Sequence, residues 1–261
     1  MSILFKEIKN LEKNKKARDV QGLFVTEGIN LFREAPAERI VAVCATAKFT
    51  RENPELIRMI PPAAERILDI REERFAGISD TKNPQGILTV QRKPEFDLDE
   101  ILMRESPLFL VLENIQDPGN AGTILRTAEA AGVHAVFLTQ GAVDLYNPKT
   151  IRSTMGAIYR VPHFYVDDMD ALLARFAERG VRTFAAHLRG THAYTELDFR
   201  GGTAFFIGNE SRGLTDSLSG SLDVLMKIPM SGKVESLNAA MAAGILMYEA
   251  RRQRGEKNFQ S

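Results

Sequence analysis

Apolar and polar positions along this chain fall into short and long blocks that take turns. Short apolar runs at 39–44, 67–70 and 87–91 have the length of buried strands, while a basic amphipathic pattern at 3–17 and an apolar one near 28–35 read as helices. That mixture predicts a small α/β domain. Further on, strand-length runs near 108–113, 133–138, 181–186, 203–207 and 224–228 alternate with helical patterns near 119–131, 148–156, 168–179 and 235–253. Such alternation predicts a second α/β domain with a largely parallel sheet. Between them lies RKPEFDLDEILMRES, Arg92 to Ser106, charged, with Pro94 inside it and Pro107 after it. It is the candidate linker and divides the chain into 1–95, 96–106 and 107–261.

Three segments of the second part carry more than pattern. LFLVLENIQDPGNAGTILRTAEAAGVHAVFLT, Leu108 to Thr139, reads strand, tight turn, helix, strand. Asp117-Pro118 supplies an N-cap and a helix-compatible first position, and Gly132 sits where the helix would end. This βαβ unit implies a parallel strand pair. In GTAFFIGNESRGLTD, Gly202 to Asp216, a buried strand runs into a loop with Glu210 between Gly208 and Gly213. Carboxyl ends of strands are where open α/β sheets place ligands. In KIPMSGKVESLNAAMAAGILMYE, Lys227 to Glu249, a short strand turns through Ser231-Gly232 into a helix whose first residues include Ser236 and Asn238. Polar groups at a helix mouth can orient a ligand, because the first backbone N–H groups lack intrahelical partners. Taken singly, these features read equally well as a capped core helix and a surface-loop glutamate.

Together the three segments resemble the SPOUT class of S-adenosylmethionine-dependent RNA methyltransferases, in the SpoU/TrmH branch that methylates ribose 2′-hydroxyls. Asn114 to Ala128 looks like the branch's first motif, with Asn120 and Arg126 at its signature positions. IGNESRGL, Ile207 to Leu214, looks like the second, with Glu210 in the acidic position, and IPMSGKVESLN, Ile228 to Asn238, is similar to the third. Upstream, RDVQGLFVTEG from Arg18 and DTKNPQGIL from Asp80 look like the two ends of the branch's substrate-binding domain, so nearly the whole chain is covered. The resemblance implies an α/β fold: a C-terminal α/β trefoil-knot (SPOUT) domain preceded by a small α/β RNA substrate-binding domain. It also implies S-adenosyl-L-methionine held in the knot loops and a homodimer whose interface includes the last helix. Ribosomal RNA is the expected substrate, because close tRNA-modifying relatives often carry basic extensions instead of such an N-terminal domain. Thr123, where many relatives have a small apolar residue, and Ala239-Ala240, where valine is common, depart from the pattern without removing a polar signature residue.

A ribose 2′-hydroxyl is a weak acid, so its attack on a methyl group needs help in losing the proton and alignment behind the methyl–sulfur bond. The resemblance places catalysis on Arg126, Asn120, Glu210, Ser236 and Asn238. Arg126 would assist deprotonation. A guanidinium stays protonated far above neutral pH, however, so clamping the substrate phosphate and stabilising the developing alkoxide is a second role open to it. Asn120 would hold Arg126, Glu210 would position Arg126 or the ribose, and Ser236 and Asn238 would orient substrate or arginine. Position-by-position matching puts Gly208, Ile228 and Leu237 at the cofactor through backbone groups, although Ile228 and Leu237 read equally as core. NPKTIRSTMGA, from Asn147, begins a helix carrying Lys149 and Arg152 and is a candidate RNA contact.

Composition narrows the field further. With 261 residues, 44% hydrophobic and 26% charged, the chain is ordinary for a soluble globular protein. No apolar run approaches the roughly 18 residues of a membrane span, and MSILFKEIKN lacks the apolar core of a signal peptide, so no membrane association and a cytoplasmic location are expected. The single cysteine, Cys44, excludes an intramolecular disulfide and reads as a buried structural thiol. His134, His163, His187 and His192 show no metal-ligand spacing, so no metal is expected. Lys+Arg and Asp+Glu balance at 34 each, a mild argument against nucleic-acid binding. Lys6, Lys9, Lys13, Lys15, Lys16 and Arg18 nevertheless crowd the N-terminus, either to meet phosphates or as a solvated helix face. The basic tail ARRQRGEKNFQS reads as a helix end followed by a disordered stub. Two related readings compete: a catalytically silent RNA-binding protein of the same fold, which intact Arg126, Glu210, Ser236 and Asn238 speak against, and a tRNA ribose methyltransferase. A doubly wound nucleotide-dependent oxidoreductase fails, because the turn DPGNAG lacks the G-x-G-x-x-G arrangement.

Overall fold

The computed structural model describes residues 3–234 and 236–255. The chain divides into two compact units, residues 1–95 with 144–159, and residues 96–143 with 160–261. Residues 144–159, which lie inside the 107–261 segment of the sequence, group with the first unit.

The first unit begins with α1 (Ile3–Lys13), α2 (Lys15–Gln21), β1 (Leu23–Glu27), α3 (Ile29–Glu34) and β2 (Ile40–Thr46). It continues through α4 (Ala47–Glu52), α5 (Pro54–Arg58), β3 (Glu65–Ile70), α6 (Glu72–Ala76) and β4 (Ile87–Arg92). The second unit then opens with α7 (Leu98–Leu102), β5 (Leu108–Leu112), α8 (Pro118–Ala131) and β6 (Ala135–Thr139), before α9 (Pro148–Thr154) returns to the first. After that come β7 (His163–Val166), α10 (Met169–Glu178), β8 (Arg182–Ala186), β9 (His192–Ala193), β10 (Thr203–Ile207), α11 (Asp216–Gly220), β11 (Val224–Lys227) and α12 (Ala239–Gln253).

The sheet of the first unit has the order β1-β4-β2-β3, with β4 antiparallel to both neighbours and β2 parallel to β3. The helix expected over 3–17 is two helices, because Asn14 takes an extended backbone and its Oδ1 caps the N–H of Lys16 at 3.0 Å. Arg18 is not a phosphate contact. It is 2% exposed, and its Nε and Nη2 donate to Asp144 Oδ2 at 2.8 and 2.5 Å. Its Nη1 donates to the carbonyl oxygens of Leu11 and Glu12 at 2.5 and 3.0 Å. The returning segment is thus tied to the N-terminal helices by a buried ion pair, and removing one partner of such a pair typically costs ~3–5 kcal/mol. Tyr159 adds a second tie, accepting from Gln91 Nε2 at 3.0 Å and donating to Leu31 O at 3.1 Å. Cys44 is fully buried, and burial followed by the Glu65 charge pushes its thiol up to about 12, which leaves it unreactive at neutral pH.

Glu12, on α1, faces Glu27 and Asp80 across a small hollow that Arg152 also lines. Burial first, then the charges of Asp80 and Glu27, raise its pKa from 4.5 to about 8. The folded state therefore holds a proton that the unfolded chain releases, and stability falls as pH rises from about 4.5 to about 8. Glu12→Gln keeps the neutral form at every pH. Its melting temperature is expected to exceed the wild type's at pH 8 and to match it at pH 5. Equal melting curves at both pH values would refute this.

In the second unit all seven strands pair in parallel, in the order β7-β6-β5-β10-β8-β11-β9. Every residue of β5 and β10 is buried, as central strands covered on both faces require. Phe206 joins Phe109, Phe137 and Phe176 in one cluster, while its neighbour Phe205 packs with Phe184 and Phe199. α8 and α12 lie side by side in the same direction. Asn238 meets Asn120 at their N-terminal ends, Gly244 adjoins Thr127, and Arg251 Nη1 donates to the carbonyl of Ala130 near their C-terminal ends. Small residues are buried on both helices: Ala239, Ala240 and Ala243 of α12, and Ala121, Gly122 and Ala128 of α8.

The last helix starts later than 235. Ser236 and Leu237 precede it, and Asn238 is its N-cap, its Oδ1 accepting from the N–H groups of Ala240 and Met241 at 2.9 and 3.3 Å. Residues 256–261 of the tail lie outside the described residues, as does Glu235. Among the described residues no helix is long and apolar enough to cross a membrane, and no group of three His, Cys, Asp or Glu side chains could hold a metal ion.

Candidate active site

The carboxyl ends of β8, β10 and β11 stop side by side, and the segments leaving them, with residues 236–242, surround a cleft of about 490 Å³. That volume suits a nucleoside-sized ligand. Leu188, Leu214, Ile228, Met230 and Leu237 supply apolar walls, and Glu210 is the one carboxylate on its lining among the described residues. Gly208, Ile228 and Leu237, the expected cofactor residues, all line it, as do Glu210 and Ser236.

The wall after β10 is a tightly folded loop. Asn209 and Gly213 exchange backbone hydrogen bonds at 3.0 and 2.9 Å, and Gly213 turns the chain with φ +69°. Asn209 Oδ1 accepts from the N–H groups of Ser211 and Arg212 at 3.0 and 3.2 Å, while its Nδ2 donates to Asn114 O at 2.8 Å. Gly208 is required by space. A Cβ there would lie 2.1 Å from the carbonyl carbon of Gly213 and 2.2 Å from Leu214 N. The far end of the loop is held by Glu113, which is 6% exposed and accepts from Thr215 N at 2.7 Å and Thr215 Oγ1 at 2.8 Å.

Beside the cleft runs a chain of polar groups from three elements. Asn238 Nδ2 donates to Asn120 Oδ1 at 3.0 Å, and Asn120 Nδ2 donates to Glu210 Oε1 at 3.0 Å. The Asn120 backbone N–H is itself capped by Asp117 Oδ1 at 2.8 Å. Glu210 also accepts from Asp117 N at 3.2 Å and, more weakly, Gln116 N at 3.4 Å, the peptide groups that open α8. Burial works to raise the Glu210 pKa. The Asn120 amide and the backbone donors of Glu210, Asp117 and Gln116 outweigh it and hold the carboxyl below 4.5, so the group is an anion at neutral pH. The N-terminus of α8 thus meets this carboxylate, an arrangement the helix dipole favours.

Of the residues singled out in the sequence, Asn120, Glu210 and Asn238 are brought into one hydrogen-bonded chain, and Ser236 stands on the cleft wall. Arg126 is not among them. It is exposed on α8, about 9 Å along the helix axis from Asn120, and has no hydrogen bond or ion pair with another described residue. The sequence reading missed Asn209, Glu113 and His187. Asn209 carried a faint signal, an Asx side chain followed by a glycine-containing turn. The other two carried none, because a buried acid and a lone histidine have no local signature.

Residues 107–248 match the family model described as the SpoU rRNA Methylase family, and residues 4–89 match the MRM3-like substrate binding domain. The chain is 34% identical over 256 residues to an uncharacterised tRNA/rRNA methyltransferase of Synechocystis, covering 96% of this chain and 91% of that one. It is 33% identical over 244 residues to the 23S rRNA (guanosine(2553)-2′-O)-methyltransferase RlmP of Bacillus subtilis, covering 91% and 92% of the two chains. The crystal structure of the SpoU methyltransferase AviRb from Streptomyces viridochromogenes in complex with the cofactor AdoMet superposes with a TM-score of 0.88 at 27% identity, covering 98% of this chain and 99% of that one. The parallel sheet, the cleft at its strand ends and the family match over most of the second unit agree, and the chain belongs to the SpoU rRNA methylase family.

Proposed function

We propose that this protein is an RNA (ribose-2′-O)-methyltransferase that uses S-adenosyl-L-methionine and acts on ribosomal RNA. The observation that carries the reading is the Asn238–Asn120–Glu210 chain on the rim of a nucleoside-sized cleft at the strand ends. The residues present fit that cofactor. Gly208 leaves the space that any side chain would fill, and Ile228 and Leu237 offer flat apolar walls and backbone groups. The cofactor, when bound there, supplies a methyl group activated by a sulfonium charge.

The residues around the cleft do the rest. Glu210 keeps a negative charge at the mouth, fixed by Asn120, and Asn238 fixes Asn120 in turn. Ser236 offers a hydroxyl on the wall for the incoming ribose. Arg126, exposed and unpaired among the described residues, is available to an RNA phosphate, and in that role it stabilises negative charge developing on the 2′-oxygen. The first unit, with its exposed Lys6, Lys13, Lys16 and Lys149, serves as the RNA-binding part. Arg152 is partly neutralised by Asp80 at 3.0 Å and contributes less. The reaction is assigned to the cytoplasm, the location expected from the sequence.

The test is transfer of labelled methyl from S-adenosylmethionine to deproteinised ribosomal RNA and to transfer RNA, followed by digestion to nucleosides. Label in a 2′-O-methyl nucleoside from the ribosomal RNA alone is expected. Label in a base, or only in transfer RNA, would overturn the substrate or the chemistry.

The active form is a homodimer through α12. Met241 and Tyr248 are 56% and 50% exposed, and with partly buried Ile245 they recur at the i, i+4, i+7 spacing of one helix face. Wild type is expected to sediment as a dimer and Met241→Glu/Tyr248→Glu as a folded monomer. A wild-type monomer at micromolar concentration would contradict this.

A further inference from the structure

One side chain on the cleft has a feature that its place in the proposed reaction does not use. His187 follows β8 and lines the cleft beside Leu188. Its backbone is held at both ends: its N–H donates to Met226 O at 2.9 Å, and its carbonyl accepts from Gly190 N at 3.0 Å. Gly190 is pressed against β11, where a Cβ would lie 2.4 Å from the carbonyl carbon of Met226. The ring is fixed as well, because Nδ1 accepts from the backbone N–H of Arg189 at 3.0 Å. An Nδ1 that accepts carries a lone pair, so the neutral ring bears its proton on Nε2. Among the described residues that Nε2–H has no acceptor.

We propose that His187 is a cofactor-recognition residue, a pre-oriented neutral imidazole whose Nε2–H donates to an acceptor oxygen of S-adenosylmethionine. The inference rests on the cleft being the cofactor site. It assigns to this chain a polar contact from β8, the one strand end that the three sequence motifs leave out. Burial, then the charge of Arg189, lower the His187 pKa from 6.5, against an opposing pull from Asp216, so the donor form dominates at neutral pH. Arg189 is itself paired with Asp216 at 2.5 Å. The other charged groups lining the cleft are Glu210, Arg212 and Lys227. Protonation at Nδ1 removes the acceptor that fixes the ring, so cofactor affinity falls on the acid side of the ordinary histidine value.

Calorimetric titration of the full chain with S-adenosylmethionine tests this directly. At pH 8, His187→Ala is expected to bind about tenfold more weakly than wild type, and His187→Gln, whose amide can reproduce the Nε2 donor, to recover most of the loss. Wild-type affinity declines toward pH 5.5, while that of His187→Gln stays level. Repeating the titration with 5′-methylthioadenosine separates the two sources of the acceptor. A persistent alanine effect places it on the nucleoside, and a vanished one places it on the amino-acid carboxylate. Long-range proton–nitrogen spectra of the free protein should show His187 protonated on Nε2. Equal affinities for wild type and His187→Ala at pH 8, or a ring protonated on Nδ1, would overturn the proposal. Failure of wild type to bind at all would instead remove the cofactor site beneath it.

Discussion

Arg126→Ala is expected to lower the methyl-transfer rate by about 10²–10³-fold, the loss typical of removing one donor that stabilises charge developing in a transition state. Its affinity for S-adenosylmethionine should stay within about twofold of wild type, because Arg126 makes no contact with the cleft and is exposed on α8. The same variant separates the two roles the arginine could play. As a phosphate clamp it acts through charge and a planar fork of donors, so Arg126→Lys should recover only a small part of the rate, and the pH–rate profile of wild type should show no limb belonging to Arg126. As a base it would have to act in its neutral form, and the rate would climb steadily with pH. Single-turnover rates at saturating cofactor, from pH 6 to 10, are the measurement. An unchanged rate in Arg126→Ala would remove the residue from the chemistry.

Gly208→Ala is expected to weaken S-adenosylmethionine binding by about 100-fold or more, equivalent to about 2.7 kcal/mol. The added Cβ would sit within 2.4 Å of three backbone atoms of Gly213 and Leu214. Backbone cannot swing aside as a flexible side chain can, so the loop after β10 must open. Overpacking of this kind commonly costs ~1–3 kcal/mol of stability. The loop also carries Asn209 and Glu210, so the cleft wall and the Asn120–Glu210 hydrogen bond move together. Calorimetry for affinity and thermal melting for stability, run on the same preparation, distinguish a lost site from a lost fold. Wild-type affinity in a protein that melts normally would show that the close passage at Gly208 is not what shapes the site.

Much of this architecture is legible in the sequence because local and global signals agree. Leu108–Leu112 and Thr203–Ile207 are continuous apolar runs, and they became the two buried central strands. Asp117-Pro118 and Gly132 bracket α8 as cap chemistry requires: Asp117 Oδ1 accepts from Asn120 N, and Gly132 takes φ +77°. Signals failed where the partner is distant. β1 is short and half polar, and it becomes a strand only by pairing with β4, far along the chain. β9, just His192–Ala193, exists only against β11. The return of 144–159 to the first unit depends on Arg18 meeting Asp144, 126 residues later, which no window of sequence contains.

The candidate site divides in the same way. Asn120, Glu210 and Asn238 could be named from motif positions, but their joining into one hydrogen-bonded chain is a property of the sheet order, which sets β10 beside β5 and α12 beside α8. Ser236 was expected inside a helix and lies ahead of it, because Asn238, not an earlier residue, accepts the free N–H groups of the first turn. Glu113 acts through Thr215, 102 residues later, and His187 is set by a turn held against Met226 of β11, and neither arrangement leaves a spacing to read.

The most direct test of the central claim is mass-spectrometric mapping of ribose methylation in ribosomal RNA from cells with and without the gene for this protein. The account predicts that one 2′-O-methylated nucleotide disappears in the deletion, returns with the wild-type gene, and stays absent with Arg126→Ala or Gly208→Ala. An unchanged ribose methylation map, or loss of a base methyl group in its place, would contradict it.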